Sequence, residues 1–309
     1  MKNGLFCMAF ALLAASCGQR GPKESAASKI SLAEARKGFA TKPLKQAGVK
    51  GAVEPPPPEL LSVVSYPTPI GNMSAYLSKA PEDGKRHPAM IWIIGGWGND
   101  IGDVWSPQGP ENDQSAAVLR EAGIVMMYPA QRGGNENPGT DETCYGEIDD
   151  IVAAAKYLAQ QPGVDPKRIY LGGHSTGGTK VILAAEYSDL FRATFAFGPA
   201  ASIDNYDPGD LNFDPQNEQE LKLRSPVLWL HSLKAPLFVF EGVQGNYDAL
   251  KVLEQAGKED SRLAHFFALK GKDHFATLQP TGRIIAAKIL ADTGSTCSIT
   301  FSKGELQAE

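Results

Sequence analysis

From residue 60 onward the chain alternates short apolar runs with longer amphipathic ones. Leu61–Tyr66 and Met73–Ser78 alternate apolar and polar positions with a period of two, the signature of a strand pair, and Gly71-Asn72 reads as the turn between them. Ala89–Ile94 (AMIWII) is apolar throughout, as expected of a strand buried on both faces. Ile124–Tyr128, Ile169–Leu171, Thr194–Phe197, Leu237–Phe240 and His265–Leu269 complete a set of eight strands. Between them lie helical patterns at Asn112–Ala122, Glu147–Gln160 and Thr281–Ala291. In the second of these Ile148, Ile151, Val152, Ala155 and Leu158 recur at three- and four-residue steps. A further helix follows Gly173, with Val181, Ile182 and Ala185 on its apolar face and Lys180 and Glu186 on the polar one. Strands alternating with helices predict an α/β fold. Its sheet would be mostly parallel and eight-stranded, with helices on both faces and right-handed crossovers. Ligands then bind at the carboxyl ends of the strands. Residues 199–235 form a short insertion between the sixth and seventh strands, either a cap over that edge or a surface excursion carrying one crossover helix, Glu218–Leu233.

Before residue 60 this periodicity is missing. Gln19 to Glu59 is rich in Lys, Ala, Gly and Pro, and Pro55–Pro58 is a stiff polyproline run. Residues 18–59 therefore read as a flexible Pro-rich tether, with a short helix at Ser31–Gly38, ahead of a catalytic domain at 60–309. The chain opens with Lys2 and an apolar run, Leu5–Ala15, too short to span a bilayer. It ends in Leu13-Ala14-Ala15-Ser16-Cys17, small residues before a cysteine, which resembles a bacterial lipobox. Residues 1–17 are expected to be a signal peptide with lipidation at Cys17, anchoring the domain in the cell envelope and facing it to the periplasm. Gly18 in place of Asp favours the outer membrane, and ordinary secretory cleavage is the alternative.

Composition narrows the choices. With 309 residues, 42% hydrophobic and 21% charged, the chain can build one large core. A net charge of −5 provides no basic face, which disfavours nucleic-acid binding. Cys7 leaves with the leader and Cys17 carries the lipid, so Cys144 and Cys297 remain as a candidate disulfide in an oxidising compartment. Two cysteines without clustered histidines make no metal site, and no cofactor is implied.

The candidate chemistry centres on Gly173-His174-Ser175-Thr176-Gly177, a G-x-S-x-G sequence between a strand and a helix. A serine hydroxyl becomes a useful nucleophile only when it is held clear of the chain and given a base. Ser175 on a tight strand-to-helix turn meets the first condition. His274 meets the second, because it follows the last strand in Lys270-Gly271-Lys272-Asp273-His274-Phe275 and precedes the last helix. The acid that orients the imidazole should follow the Leu237–Phe240 strand. Asp248 leads there, although it also suits the N-cap of a helix at Ala249–Gln255, and Glu241, Asp204 and Asp207 stay open. The oxyanion needs two N–H donors. One is Thr176, next to the nucleophile; the other comes from Gly95-Gly96-Trp97-Gly98-Asn99, with Trp97 first and Gly96 second. Trp97 and Trp105 are candidate pocket walls, and Arg132 in Tyr128-Pro129-Ala130-Gln131-Arg132-Gly133-Gly134 reads as a carboxylate partner that holds structure.

Taken together, Ser175, His274, GGWG and YPAQRGG resemble an α/β-hydrolase, and within that superfamily the catalytic domain of the prolyl oligopeptidase and dienelactone hydrolase-like group. The resemblance covers residues 60–292 and carries Ser175, His274 and Asp248. It implies an acyl-enzyme serine hydrolase acting on small esters or short peptides, the esterase favoured. Two departures stand out. No stretch has room for the β-propeller of prolyl oligopeptidases, and Gly245 occupies the acid position of their Gly-x-x-Asp pattern. A non-catalytic binding protein on the same fold is the rival reading.

Overall fold

The structure, a computed structural model, describes residues 29–46, 48 and 50–307. Cys17, Cys7 and the leader lie outside the described residues. Eight strands form one sheet: β1 (Leu61–Thr68), β2 (Gly71–Ser78), β3 (His87–Ile93), β4 (Val125–Pro129), β5 (Val164–His174), β6 (Thr194–Phe197), β7 (Leu237–Gly242) and β8 (Ala264–Leu269). Their order is β1-β2-β4-β3-β5-β6-β7-β8. β1, β2 and β4 pair antiparallel and all pairs from β4 to β8 are parallel. This is the expected mostly parallel α/β sheet.

The pleat divides the core. Along β3, Ala89, Ile91 and Ile93 enter one apolar layer and Met90 and Trp92 the other. The first layer is covered by α1 (Leu32–Ala35), α3 (Gly146–Leu158), α4 (Thr176–Tyr187), α5 (Glu218–Leu223) and α6 (Tyr247–Asp260). The second lies under α2 (Ala117–Glu121), α7 (Leu278–Ala291) and α8 (Lys303–Gln307). Parallel pairing aligns the carboxyl ends of β3, β5, β6, β7 and β8 along one edge, where the connecting loops meet.

Several boundaries differ from the sequence expectation, each for a local reason. The hairpin turns at Pro69-Ile70, and Gly71 already pairs with Thr68 as the first residue of β2. The helix expected from Asn112 shrinks to α2, because Ala116 takes φ +51° and interrupts the turn before it. The crossover helix expected over Glu218–Leu233 stops at Leu223. Pro226 cannot continue it, and two short 3₁₀ turns, Pro226–Leu228 and Leu230–Ser232, carry the chain on. The insertion 199–235 is mostly a crossover and not a cap. Its Ile203, Leu211, Phe213, Leu223 and Leu230 join the first apolar layer.

The tether expectation is corrected from Lys29 onward, where the segment is docked on the domain. Ser31 caps α1, its hydroxyl accepting from the Glu34 amide and Glu34 reaching back to the Ser31 N–H. Leu32 is fully buried and its N–H donates to Ser232. The Arg36 guanidinium stacks 4.2 Å from the Tyr145 ring and 4.6 Å from Tyr187, and pairs with Asp149. Further along, Arg224 bonds to Thr41, and Lys50 to Asp100. Low apolar periodicity concealed these anchors because each is a single residue meeting a distant partner.

The expected Cys144–Cys297 disulfide does not form. Both thiols are free, and they belong to opposite layers of the sheet, Cys144 within the first and Cys297 packed on the second.

The sequence places Lys180 and Glu186 on a polar face of α4, yet both are buried, because α1, α3 and the 3₁₀ turns cover that side. Neither carboxyl oxygen of Glu186 has a hydrogen-bond partner among the described residues. Burial alone pushes its pKa well above the usual carboxylate range. The folded state therefore binds the proton more tightly than the unfolded chain. Its contribution to stability is full below the unfolded pKa and falls as pH rises toward the folded one. Glu186→Gln, isosteric and uncharged, is expected to raise the midpoint of thermal unfolding by several degrees at pH 8 and hardly at all at pH 5. Equal midpoints for the two proteins at pH 8 would contradict this.

Candidate active site

β5 runs into α4 through Ser175, which sits at φ +54°, ψ −119°. Such a backbone is strained for a residue with a side chain and persists only where the surroundings enforce it. Here they do. The Ser175 N–H donates to the Phe197 carbonyl at 2.8 Å, and a Cβ on Gly177 would collide with the Ile93 carbonyl. The glycine lets α4 start directly against β3 and leaves the Ser175 side chain half-buried at the sheet edge. Its hydroxyl has no hydrogen-bond partner among the described residues, and catalytic contacts of this kind commonly close only around substrate.

His274 lies on the loop between β8 and α7, beside the elbow. Its ring centroid is 4.5 Å from that of His174, the residue preceding Ser175. The loop from β8 thus brings residue 274 to the neighbour of residue 175, about a hundred positions away in sequence.

The carboxylate beside His274 is not the one first expected. Asp248 does not approach His274: its side chain is 94% exposed and pairs with Lys251 one helical turn away. It is not an N-cap either, because α6 begins at Tyr247, with Asn246 before it. Asp204 and Asp207 are likewise exposed in the loop after β6. The partner of His274 is Glu241, in the last turn of β7, with its side chain 1% exposed and Oε2 3.1 Å from Nδ1. Its other oxygen accepts from the Gly242 N–H at 2.7 Å. Gly245 explains the arrangement. A Cβ there would run into Glu241 Oε1 and the His274 backbone, so the volume that a loop acid would need is already filled. Glu241 was among the sequence candidates. Its place inside a strand concealed it, and only pairing of β7 with β6 and β8 puts it at the catalytic edge.

The glycine loop after β3 meets Ser175 closely: a Cβ on Gly95 would lie 3.0 Å from Ser175 Cβ. Thr176 Oγ1 donates to the Gly96 carbonyl at 2.6 Å. In a trans peptide that carbonyl and the Trp97 N–H point in opposite directions, so the Trp97 amide is turned away from the Thr176 hydroxyl. That leaves the Gly96 N–H, one peptide earlier in the loop, as a candidate donor beside the Thr176 N–H, which opens α4 without an intrahelical acceptor. The Trp97 ring is 46% exposed and meets Tyr206 edge-to-face at 4.9 Å, forming one wall of the site. Trp105 instead packs on Tyr76 at 5.4 Å, away from the elbow.

Behind the glycine loop lies a buried polar network. Asn99 donates to the Arg132 carbonyl and to Glu147, and accepts from Lys180 Nζ at 2.7 Å. Lys180 also bonds to Gln131 at 3.0 Å. The ammonium on α4 thereby ties down the glycine loop. Burial opposes ionisation of Glu147, yet Lys180 and Arg132 hold its pKa below the usual carboxylate range. Arg132 forks onto Asp150 and reaches Glu142, the structural pairing expected of it. Among the described residues no group of His, Cys, Asp and Glu is arranged to hold a metal ion. A cleft of about 460 Å³ opens between the loops after β6 and β7, lined by Ala200, Tyr206, Gly245, Asn246 and Val252 among others.

Comparison with known proteins agrees with this fold. The prolyl oligopeptidase family profile matches residues 110–276, more than half of the chain. An acetylxylan esterase of Coprinopsis cinerea is 28% identical over 155 residues, 46% of this chain and 40% of that protein. The acylaminoacyl peptidase of Pyrococcus horikoshii superposes with a TM-score of 0.62 at 16% identity, over 80% of this chain and 43% of that one. An esterase of the archaeon Pyrobaculum calidifontis gives 0.57 at 19% identity, over 76% and 86%. The chain thus spans less than half the length of the first two, and the structural likenesses establish the α/β-hydrolase fold.

Proposed function

Because the chain belongs to the prolyl oligopeptidase family, we propose that it is a serine hydrolase that works through an acyl-enzyme on Ser175. The observation that carries this reading is the strained Ser175 elbow set beside a His274–Glu241 pair on the neighbouring strand ends. Ser175 Oγ attacks an acyl carbonyl carbon while His274 takes the hydroxyl proton. Glu241, accepting from Nδ1, keeps the imidazole in the tautomer whose Nε2 is free to do so and stabilises the imidazolium that forms. The carbonyl electrons move onto oxygen, facing the Thr176 and Gly96 N–H groups. Collapse expels the leaving group, which leaves with the proton from His274, and water repeats the sequence to free the acid. None of these steps calls for a cofactor.

Small esters are the favoured substrates. The acetylxylan esterase relative, 28% identical over 155 residues, supports this reading. The family's name and its acylaminoacyl peptidase neighbours support short peptides as the second reading. Parallel assays with p-nitrophenyl acetate, acetylated xylo-oligosaccharide and Xaa-Pro or acylated peptide amides decide between them. The expected result is hydrolysis of the esters with little release from the amides. Turnover of amides alone would reverse the preference, and inertness toward all, with no labelling by a fluorophosphonate, would favour the non-catalytic binding protein.

The lipobox-like run ending in Cys17 supports an envelope-anchored enzyme facing the periplasm. The full chain expressed in a Gram-negative host is expected in the membrane fraction, and Cys17→Ser is expected to release it into the soluble fraction. An unaltered distribution of the variant would remove the anchor.

A further inference from the structure

The residue before the nucleophile is a second histidine, and the reaction sequence above gives it no task. His174 closes β5 with its side chain fully buried, so the strand fixes where its ring points. Its Nε2 lies 3.1 Å from the backbone carbonyl oxygen of His274, and its Nδ1 lies 3.2 Å from Oε1 of Gln114. A carbonyl only accepts, so Nε2 carries the proton in that contact. In the neutral ring Nδ1 is then an acceptor, so Gln114 serves it once its side-chain amide is turned over to exchange Oε1 for the NH₂. Gln114 is itself fixed, because its backbone carbonyl accepts from Trp92 Nε1 at 2.8 Å.

Resting on the proposed Ser175–His274 chemistry, we infer that His174 is a positioning residue: its Nε2–H grips the His274 carbonyl and sets where the base stands over Ser175. The remaining ties of that loop leave this carbonyl to His174. Asp273 turns back on the amides of Phe275 and Ala276, and the Lys272 carbonyl accepts from Gln244. Glu241 holds the ring of the base and His174 holds its backbone, so together they leave the imidazole one position. The two histidine rings are tilted by 42° at 4.5 Å. A charged His174 would oppose the imidazolium formed on His274. Burial first, and the neighbouring His274 second, push the His174 pKa down to about 4, so it is neutral when His274 takes its proton.

The test compares wild type with His174→Phe, which keeps ring bulk and loses the donor, and His174→Gln, which keeps a side-chain N–H. The readout is kcat and KM on p-nitrophenyl acetate, with thermal unfolding to verify the fold. His174→Phe is expected to lower kcat about tenfold to a hundredfold with KM within about threefold, the loss typical of a misplaced catalytic group. His174→Gln is expected to recover most of it. An unchanged kcat in folded His174→Phe, or equal losses in the two variants, would overturn the assignment. Should His174→Phe not fold, Gln114→Leu unseats the same ring from its other side and is expected to lower kcat; full activity there overturns the assignment as well. Ser175→Ala in the same series separates the two levels: activity surviving in it removes the underlying mechanism, whereas a dead Ser175→Ala beside a fully active His174→Phe removes only the positioning role.

Discussion

Ser175→Ala is expected to lower kcat for ester hydrolysis by a factor on the order of 10⁴–10⁶ and to abolish fluorophosphonate labelling, while leaving the unfolding midpoint within a few degrees of wild type. The size of the effect follows from the chemistry. Without the hydroxyl no acyl-enzyme forms, and what remains is the oxyanion site acting on water alone. The small structural effect follows from the geometry. The Ser175 side chain is half-buried and makes no hydrogen bond among the described residues, and its backbone tie to Phe197 is untouched by the substitution. The strain at φ +54° stays with alanine, since it depends on having a Cβ and not on the hydroxyl. Residual activity within tenfold of wild type in a folded Ser175→Ala protein would place the nucleophile elsewhere.

The second large effect concerns the acid. Glu241→Gln is expected to lower kcat about 10³–10⁴-fold, because a side-chain NH₂ facing Nδ1 stabilises the wrong imidazole tautomer and no longer balances the imidazolium. Asp248→Asn is expected to leave kcat and KM within about twofold, since its carboxylate lies in solvent and pairs only with Lys251. The pair of variants is more informative than either alone. A large loss at Asp248 with a small one at Glu241 would reverse the assignment and require the loop after β7 to rearrange during turnover. Restoring a loop acid at position 245 is not an option for this chain, because the Glu241 carboxylate and the His274 backbone already occupy that space.

The polar network around Lys180 shows why buried charge at this site does not read as a fault. A lone buried ammonium would be strongly unfavourable, yet Lys180 meets Asn99 and Gln131 at hydrogen-bond distance with Glu147 nearby. Its consequence is geometric: α4 and the glycine loop after β3 share one anchor. Glu186, on the same helix, lacks any such partner among the described residues, and burial raises its pKa. The two residues look alike in the sequence, and only their neighbours separate them.

Local sequence determined whatever depends on neighbours along the chain. The eight strands, the elbow at Ser175 and the loop histidine were legible because periodicity, glycine spacing and strand-to-helix order are short-range properties. The tertiary structure decided whatever depends on distant residues meeting. It chose Glu241 over Asp248, because a carboxylate's reach to an imidazole is set by strand pairing and by the room left at Gly245. It kept Cys144 and Cys297 apart on opposite faces of the sheet, and it docked the segment from Lys29 onward through single anchors such as Leu32 and Arg36. Such contacts leave no periodic trace in a sequence, since the energy of each lies in its partner and not in its neighbours.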